Sequence, residues 1–200
     1  MGIKYKTKVN KLPEVAKTLE TLSGKKVKVG VLSGDHAWLA GVHEFGADIT
    51  ATKAEYLTVP VHPDAVGRKA RSFPDLFVYT SKKGNKMLAR NENGELVFYY
   101  WLTKSVKIPE RSFLRTGHDE NAERIIKQTE RALSQVIAGK MSIDEMLDLY
   151  GQQMATAIKT YARDLSYPPN SSITTGNKGS TSPLIDTGDM IEHITWEKEG

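Results

Sequence analysis

Chemistry in this chain would have to start from a few places where reactive side chains lie close together. His43-Glu44 is the first, since a His followed by Glu inside a helix can open a zinc-protease motif. That motif needs a second His four residues after the first, and the position holds Ala47. A packed or partner-facing histidine is the reading that remains. The second place is YPPNSSITTGNKGSTSP, Tyr167 to Pro183, which superficially resembles a phosphate loop. A phosphate loop follows a strand and ends in Gly-Lys-Ser/Thr. Here the order is Lys178-Gly179-Ser180 and no strand precedes it, so that chemistry is rejected. The third is Phe98-Tyr99-Tyr100-Trp101, in a neighbourhood of Lys and Arg. Such aromatics can stack on nucleic-acid bases. At strand spacing they are more often core or subunit contact.

No G-x-S-x-G elbow, dinucleotide fingerprint or paired-His spacing appears. His36, His43, His62, His118 and His193 share no motif. Asp119-Glu120 and Asp144-Glu145 stand at helix starts, where they complement the helix dipole. The expectation is no enzyme, no metal and no cofactor. What remains are interaction residues. Glu44, Arg111 and Arg115 are candidate ion-pair partners within or between subunits, and Lys178 joins them from the Tyr167–Pro183 stretch. As surface pairs the first three would contribute roughly 0–1 kcal/mol. Trp38, Phe45, Phe113, Leu184, Ile185 and Trp196 are expected in the core.

The elements that must position these residues fall into two styles. Up to Ile108 the pattern is short and β-like, broken by Gly and Pro; beyond it the periodicity is helical. MGIKYKTKVNK alternates Lys with apolar or small residues, as an edge strand or a basic arm would. Pro13 opens a helix through Leu22, closed at Gly24. Lys25 to Leu32 puts Val27, Val29 and Val31 on one face, a half-buried strand. Ala37 to Phe45 is a short helix closed by Gly46, and Tyr56 to Val61 a strand. Then comes an insert at about 62–102: a polar helical turn at Asp64 to Arg71, followed by strands at Leu76 to Thr80, Met87 to Arg90 and ELVFYYWL. The turns SKKGN and NENG between those strands mark a β-meander.

VKIPERSFLR, Val106 to Arg115, is the switch between the two styles. Pro109 lacks a donor and holds Ile108 extended, so a strand there cannot run straight into a helix. Two long helices follow. Asp119 to Ala138 carries a stripe through Ile125, Leu133 and Val136 and ends at Gly139. Ser142 and Glu145 form a capping box for the next, which carries Leu147, Met154, Ile158 and Leu165. The short link makes them an antiparallel pair. Tyr167 to Pro183 is expected to be a long flexible loop that orders only against a partner. The tail then reads as one helical turn capped by Asp186 or Thr187, and a strand from His193 to Lys198.

These elements predict an α+β fold: a mixed, mainly antiparallel sheet packed by an antiparallel pair of long helices, with a β-meander insert. One domain spans 1–200. Cysteine is absent, which removes disulfides, zinc thiolate sites and thiol nucleophiles and fits a cytosolic setting. No membrane span or secretory signal is expected. The net charge of +4 is unevenly placed, with an excess of Lys and Arg before residue 90 and of Asp and Glu after it. A basic surface for nucleic acid is one reading, and a head-to-tail contact that closes a ring is another.

Four segments together, VGVLSG at Val29 to Gly34, VHEFGADI at Val42 to Ile49, SVKIPERSFLR at Ser105 to Arg115 and PLIDTGDMIEHITWE at Pro183 to Glu197, resemble the neck or tail-completion family of long-tailed bacteriophages and prophages. They occur in the family's order. The insert, including FPDLFVYTSKKGNKMLAR, looks like the longer branch in virion-morphogenesis proteins of contractile-tailed phages. Where many relatives carry Pro or Ala this chain has Glu110 and Ser112, and it has His193 where Ser is common. The resemblance implies a structural virion protein at the head-tail junction, assembled in the host cytoplasm. It implies a homo-oligomeric ring, often a hexamer, against the tail tube protein and the head-closure or connector proteins. Genomic DNA would pass through its lumen without sequence-specific binding. A tail terminator is the first expectation and a head-closure protein the second. From a different class, the alternative is a basic nucleic-acid-binding module.

Overall fold

Apolar stripes on two long helices set the frame. In the structure, a computed structural model that describes residues 11–178 and 180–199, these are α3 (Phe113–Ile137) and α4 (Ile143–Asp164). They pack antiparallel, as expected. The turn between them passes through Gly139 at φ 70°, where a side chain would be strained. Ser142 and Glu145 make the reciprocal capping box at the start of α4. Ile125, Met154, Ile158 and Phe113 are buried along the seam. Gly151 lets a strand come close: a Cβ there would lie 2.3 Å from Trp196 Cδ1.

That strand is β8 (Ile194–Glu199), paired antiparallel with β1 (Lys26–Val31) across α4, with Val29 opposite Trp196. α1 (Leu12–Ser23) precedes β1 and lends Leu22 to a small cluster around Val136 and Met146. α2 (Gly34–Phe45) leaves β1 and leads through Gly46 into β2 (Ala47–Thr50), which pairs with β7 (Ser105–Ile108). The remaining strands form the meander sheet, in the order β3 (Leu57–Pro60), β6 (Glu95–Thr103), β5 (Lys86–Glu92), β4 (Phe77–Thr80). Among the described residues all pairing is antiparallel, in three separate sheets, so the fold is α+β as its pattern predicts.

The meander has its own core of Ala65, Phe73, Tyr99 and Tyr100. Adjacent residues of a strand normally face opposite ways, yet Tyr99 and Tyr100 are both buried. The register explains it: Leu88 pairs with Tyr100 and Ala89 with Phe98, leaving Tyr99 as the extra residue of a β-bulge.

Several expectations are corrected. The Asp64 to Arg71 turn is two short 3-10 turns, Pro63–Ala65 and Ala70–Ser72. The Tyr167–Pro183 stretch is not structureless: it holds α5 (Ser172–Lys178). Its Ser, Thr and Gly content argues against a helix, but Ser171 Oγ accepts from Thr174 N at 3.2 Å and tertiary contacts hold the rest. α6 (Asp189–Glu192) has Gly188 at its N-cap, not Asp186 or Thr187, although Thr187 Oγ1 accepts from Asp189 N at 3.3 Å. Trp38 and Phe45, expected in the core, are 70% and 67% exposed, because α2 turns Ala40 and Glu44 inward instead. The N-terminal alternation of Lys and apolar residues lies almost wholly outside the described residues.

Candidate functional site

Three chain connections meet beside the start of α3. The last turn of α2 brings His43 and Glu44; Pro109 to Ser112 bridges β7 to α3; and Pro168 to Asn170 follows α4. Gly46 allows the first two to touch. Its φ is 72°, and a Cβ there would sit 2.9 Å from both Glu110 N and Ile108 O, so a side chain is barred by conformation and by space. Arg111 N donates to His43 O at 2.7 Å and fixes the crossing.

On one side of this crossing is Glu44, only 2% exposed. Its carboxylate accepts from Leu114 N (2.8 Å), Arg115 N (3.2 Å), Ser112 Oγ (3.0 Å) and Arg115 Nε (2.8 Å). Two of those donors are the open amides of α3's first turn, so a residue of α2 caps α3 from outside, at the end where the helix dipole favours an anion. Ser112, at the N-cap position, makes no side-chain cap bond of its own. This external cap explains why α3 begins at Phe113 and not near Asp119. Arg115 also binds Glu110 at 2.6 Å and lays its guanidinium 4.9 Å from the centre of the exposed Phe45 ring. The expected Glu44–Arg115 ion pair is therefore present, and its carboxylate end is buried.

On the other side is Arg111, 4% exposed. It is no ion-pair member: among the described residues no carboxylate lies within 4.0 Å of it. Its Nε donates to Pro168 O (2.9 Å), and Nη2 to Pro169 O (3.1 Å) and Asn170 Oδ1 (3.2 Å). The peptide before Pro168 is cis. Nη1 lies 3.4 Å from His43 Nδ1. Burial lowers the Arg111 pKa from its usual value, but an arginine remains charged. Burial, then the Arg111 charge and the Lys178 charge, lower His43 to about 4. A neutral imidazole facing a guanidinium must accept on Nδ1, so its proton sits on Nε2.

Lys178 completes the cationic side. Its ammonium donates to the carbonyls of Ser182 (2.8 Å), Pro183 (3.2 Å) and Ile185 (2.7 Å). Burial lowers its pKa, Asp186 opposes that, and Arg111 adds to it. Arg111 and Lys178 thus hold both ends of the segment around α5 through main-chain oxygens. No local motif announces this role, because carbonyl acceptors carry no sequence signal. Ser112, His43 and Asn170 are the site members that the sequence reading did not single out for it.

The arrangement is a packing and anchoring junction with a cationic face. The Glu44 carboxylate is taken up by the start of α3, and His43 turns its Nδ1 to Arg111. Comparison with protein-family profiles, with curated proteins and with solved structures finds no match for the chain.

Proposed function

We propose that this chain is a structural protein of the neck of a tailed phage or prophage virion. Within the neck it acts as a tail terminator or tail-completion subunit that forms a ring on the tail tube and joins it to the head. The observation that carries this reading is spatial. The four segments that resemble the neck family are scattered along the sequence, yet they form one continuous unit. VGVLSG pairs with ITWE in the β1–β8 ladder, and ADI of VHEFGADI pairs with VKI in the β2–β7 ladder. Glu44 and Arg115 join the second and third segments, and His36 stacks on His193 at 4.1 Å, tying α2 to the fourth. Two of the positions at which this chain departs from the neck-family pattern, Glu110 and Ser112, feed this same junction through Arg115 and Glu44.

A second feature supports a subunit that assembles. Trp38 and Phe45 stand seven residues apart on one face of α2 and are both exposed, beside Leu39. Large apolar side chains grouped on a surface mark contacts with other chains. Ring neighbours, the tail tube protein and the head-closure proteins are the partners this role requires.

Electron microscopy of particles made without this gene product tests the reading. Overlong, irregular tails apart from filled heads are the expected result. Tails of normal length beside unattached heads would move the chain to head closure. Intact virions at normal yield would overturn the neck role, and steeply salt-dependent DNA binding by the purified chain would then favour a nucleic-acid module.

A further inference from the structure

Among the described residues, strand β7 is paired on one edge only. Ala51 N donates to Lys104 O at 3.0 Å just beyond the β2–β7 ladder, and this sets the ladder's phase. Bonded and non-bonded pairs alternate in antiparallel strands, so Val106 and Ile108 turn their N–H and C=O toward β2. Ser105 and Lys107 turn theirs away. Ser105 O accepts the Thr103 hydroxyl at 2.9 Å. Lys107 N–H and C=O have no partner among the described residues.

This open edge borders a groove of about 660 Å³, which all five residues from Ser105 to Pro109 line. Val59, Trp101 and Ile173 make it largely apolar, and Arg111 and His43 line it as well. Arg111 has five N–H donors, of which its protein contacts use four. Among the described residues one at Nη1 has no partner, and neither does the His43 Nε2–H. A buried positive charge without a counter-ion therefore stands with two open donors beside an unpaired strand edge.

We propose that this groove binds an extended polypeptide segment that adds to the free edge of β7 and sets a carboxylate on Arg111 and His43. Strand addition gives main-chain hydrogen bonds, the apolar wall takes alternate side chains, and the cation selects an acidic residue. A free phosphate would use the cation but neither the wall nor the strand edge. The chain's own first ten residues, MGIKYKTKVN, carry three Lys and no side-chain carboxylate, the wrong charge for the site. The inference rests on the groove and not on the neck role.

The test uses the full chain, isotope-labelled for NMR. The probes are capped hexapeptides of alternating Val and Thr, with one Glu moved through each position, and the same set with Gln. At least one Glu peptide should shift the Ser105 and Lys107 amides and bind about tenfold or more tightly than its Gln counterpart. Arg111→Gln should erase that preference. Because this variant also strips Pro168 and Pro169 of a donor, Ile173→Glu provides a second measure. It leaves Arg111's contacts whole, and should weaken the Glu peptide about tenfold or more while sparing the Gln peptide. Equal binding of the two sets, shifts away from Ser105 to Pro109, or inorganic phosphate competing as tightly as the peptide would each overturn the proposal. So would loss of the chain's own oligomer in Ile173→Glu with neither peptide set bound to the wild type, which would assign the groove to a second copy.

Discussion

Glu44 and Arg111 are both buried, both charged, and separated by a single crossing of two chain connections, yet their charges are handled in opposite ways. Glu44 is neutralised by Arg115 and saturated by the amides of α3's first turn. Arg111 is surrounded by neutral oxygens and a neutral imidazole, and borders an open groove. Desolvating a charge is tolerable when a counter-charge and hydrogen bonds replace water. The Glu44 side meets both conditions and closes; the Arg111 side meets only the second. The first is a device for building the fold, whereas the second leaves attraction unspent for something outside it.

The comparison can be broken hardest at Glu44. Glu44→Gln removes the counter-charge and halves the acceptor capacity for the start of α3, and should cost about 3 kcal/mol of global stability, read from urea unfolding. If it costs less than about 1 kcal/mol, the buried carboxylate is not what starts α3 at Phe113.

Arg111→Met comes next, with a more local signature. The loss of donors to Pro168 O and Pro169 O should cost about 2 kcal/mol. Hydrogen exchange should quicken across Ser172 to Lys178 before it does in α3 and α4. Uniform loss of protection across the chain would show that Arg111 supports the global fold as Glu44 does, and the contrast between the two sites would disappear.

The smallest effect is that of pH on His43. Its folded pKa of about 4 lies below the usual 6.5, so the unfolded chain binds the extra proton first. Its stabilising contribution is complete above pH 6.5 and is lost as pH falls toward 4. Arg111 and Lys178 face the ring and disfavour its charge, and Glu44 beside it in sequence is committed to α3. His43→Asn keeps an acceptor for Arg111 but cannot titrate. The difference in melting temperature between wild type and variant should therefore shift between pH 6.5 and 4 and stay flat above. A flat difference throughout would mean that His43 is not held neutral.

Much of the fold was legible because it is written locally. The helix pair follows from apolar stripes, the link from Gly139, the start of α4 from Ser142 and Glu145, the meander from its Gly turns, and β1 and β8 from alternation. What was misread depends on distant partners. β2 is only four residues, too short for its alternation to stand out, and it exists because β7 pairs with it. α5 forms from poor helix residues because Ser171, Arg111 and Lys178 hold it. Trp38 and Phe45 look like core by type, and only the orientation of α2 puts them outside.

The candidate site divides the same way. Glu44, Arg111, Arg115 and Lys178 can be picked out as charged residues at junctions, because charge and position are properties of the sequence. Periodicity, turn chemistry and capping act over a few residues, so the chain by itself determined its long helices, its meander and its β1 and β8 strands, but not β2 or α5. Which charge meets a counter-charge is set by contacts across 68 to 71 residues, as between Glu44 and Ser112 or Arg115. Tertiary structure alone decided that Glu44 is closed and Arg111 left open, since burial and pairing depend on which surfaces are packed together.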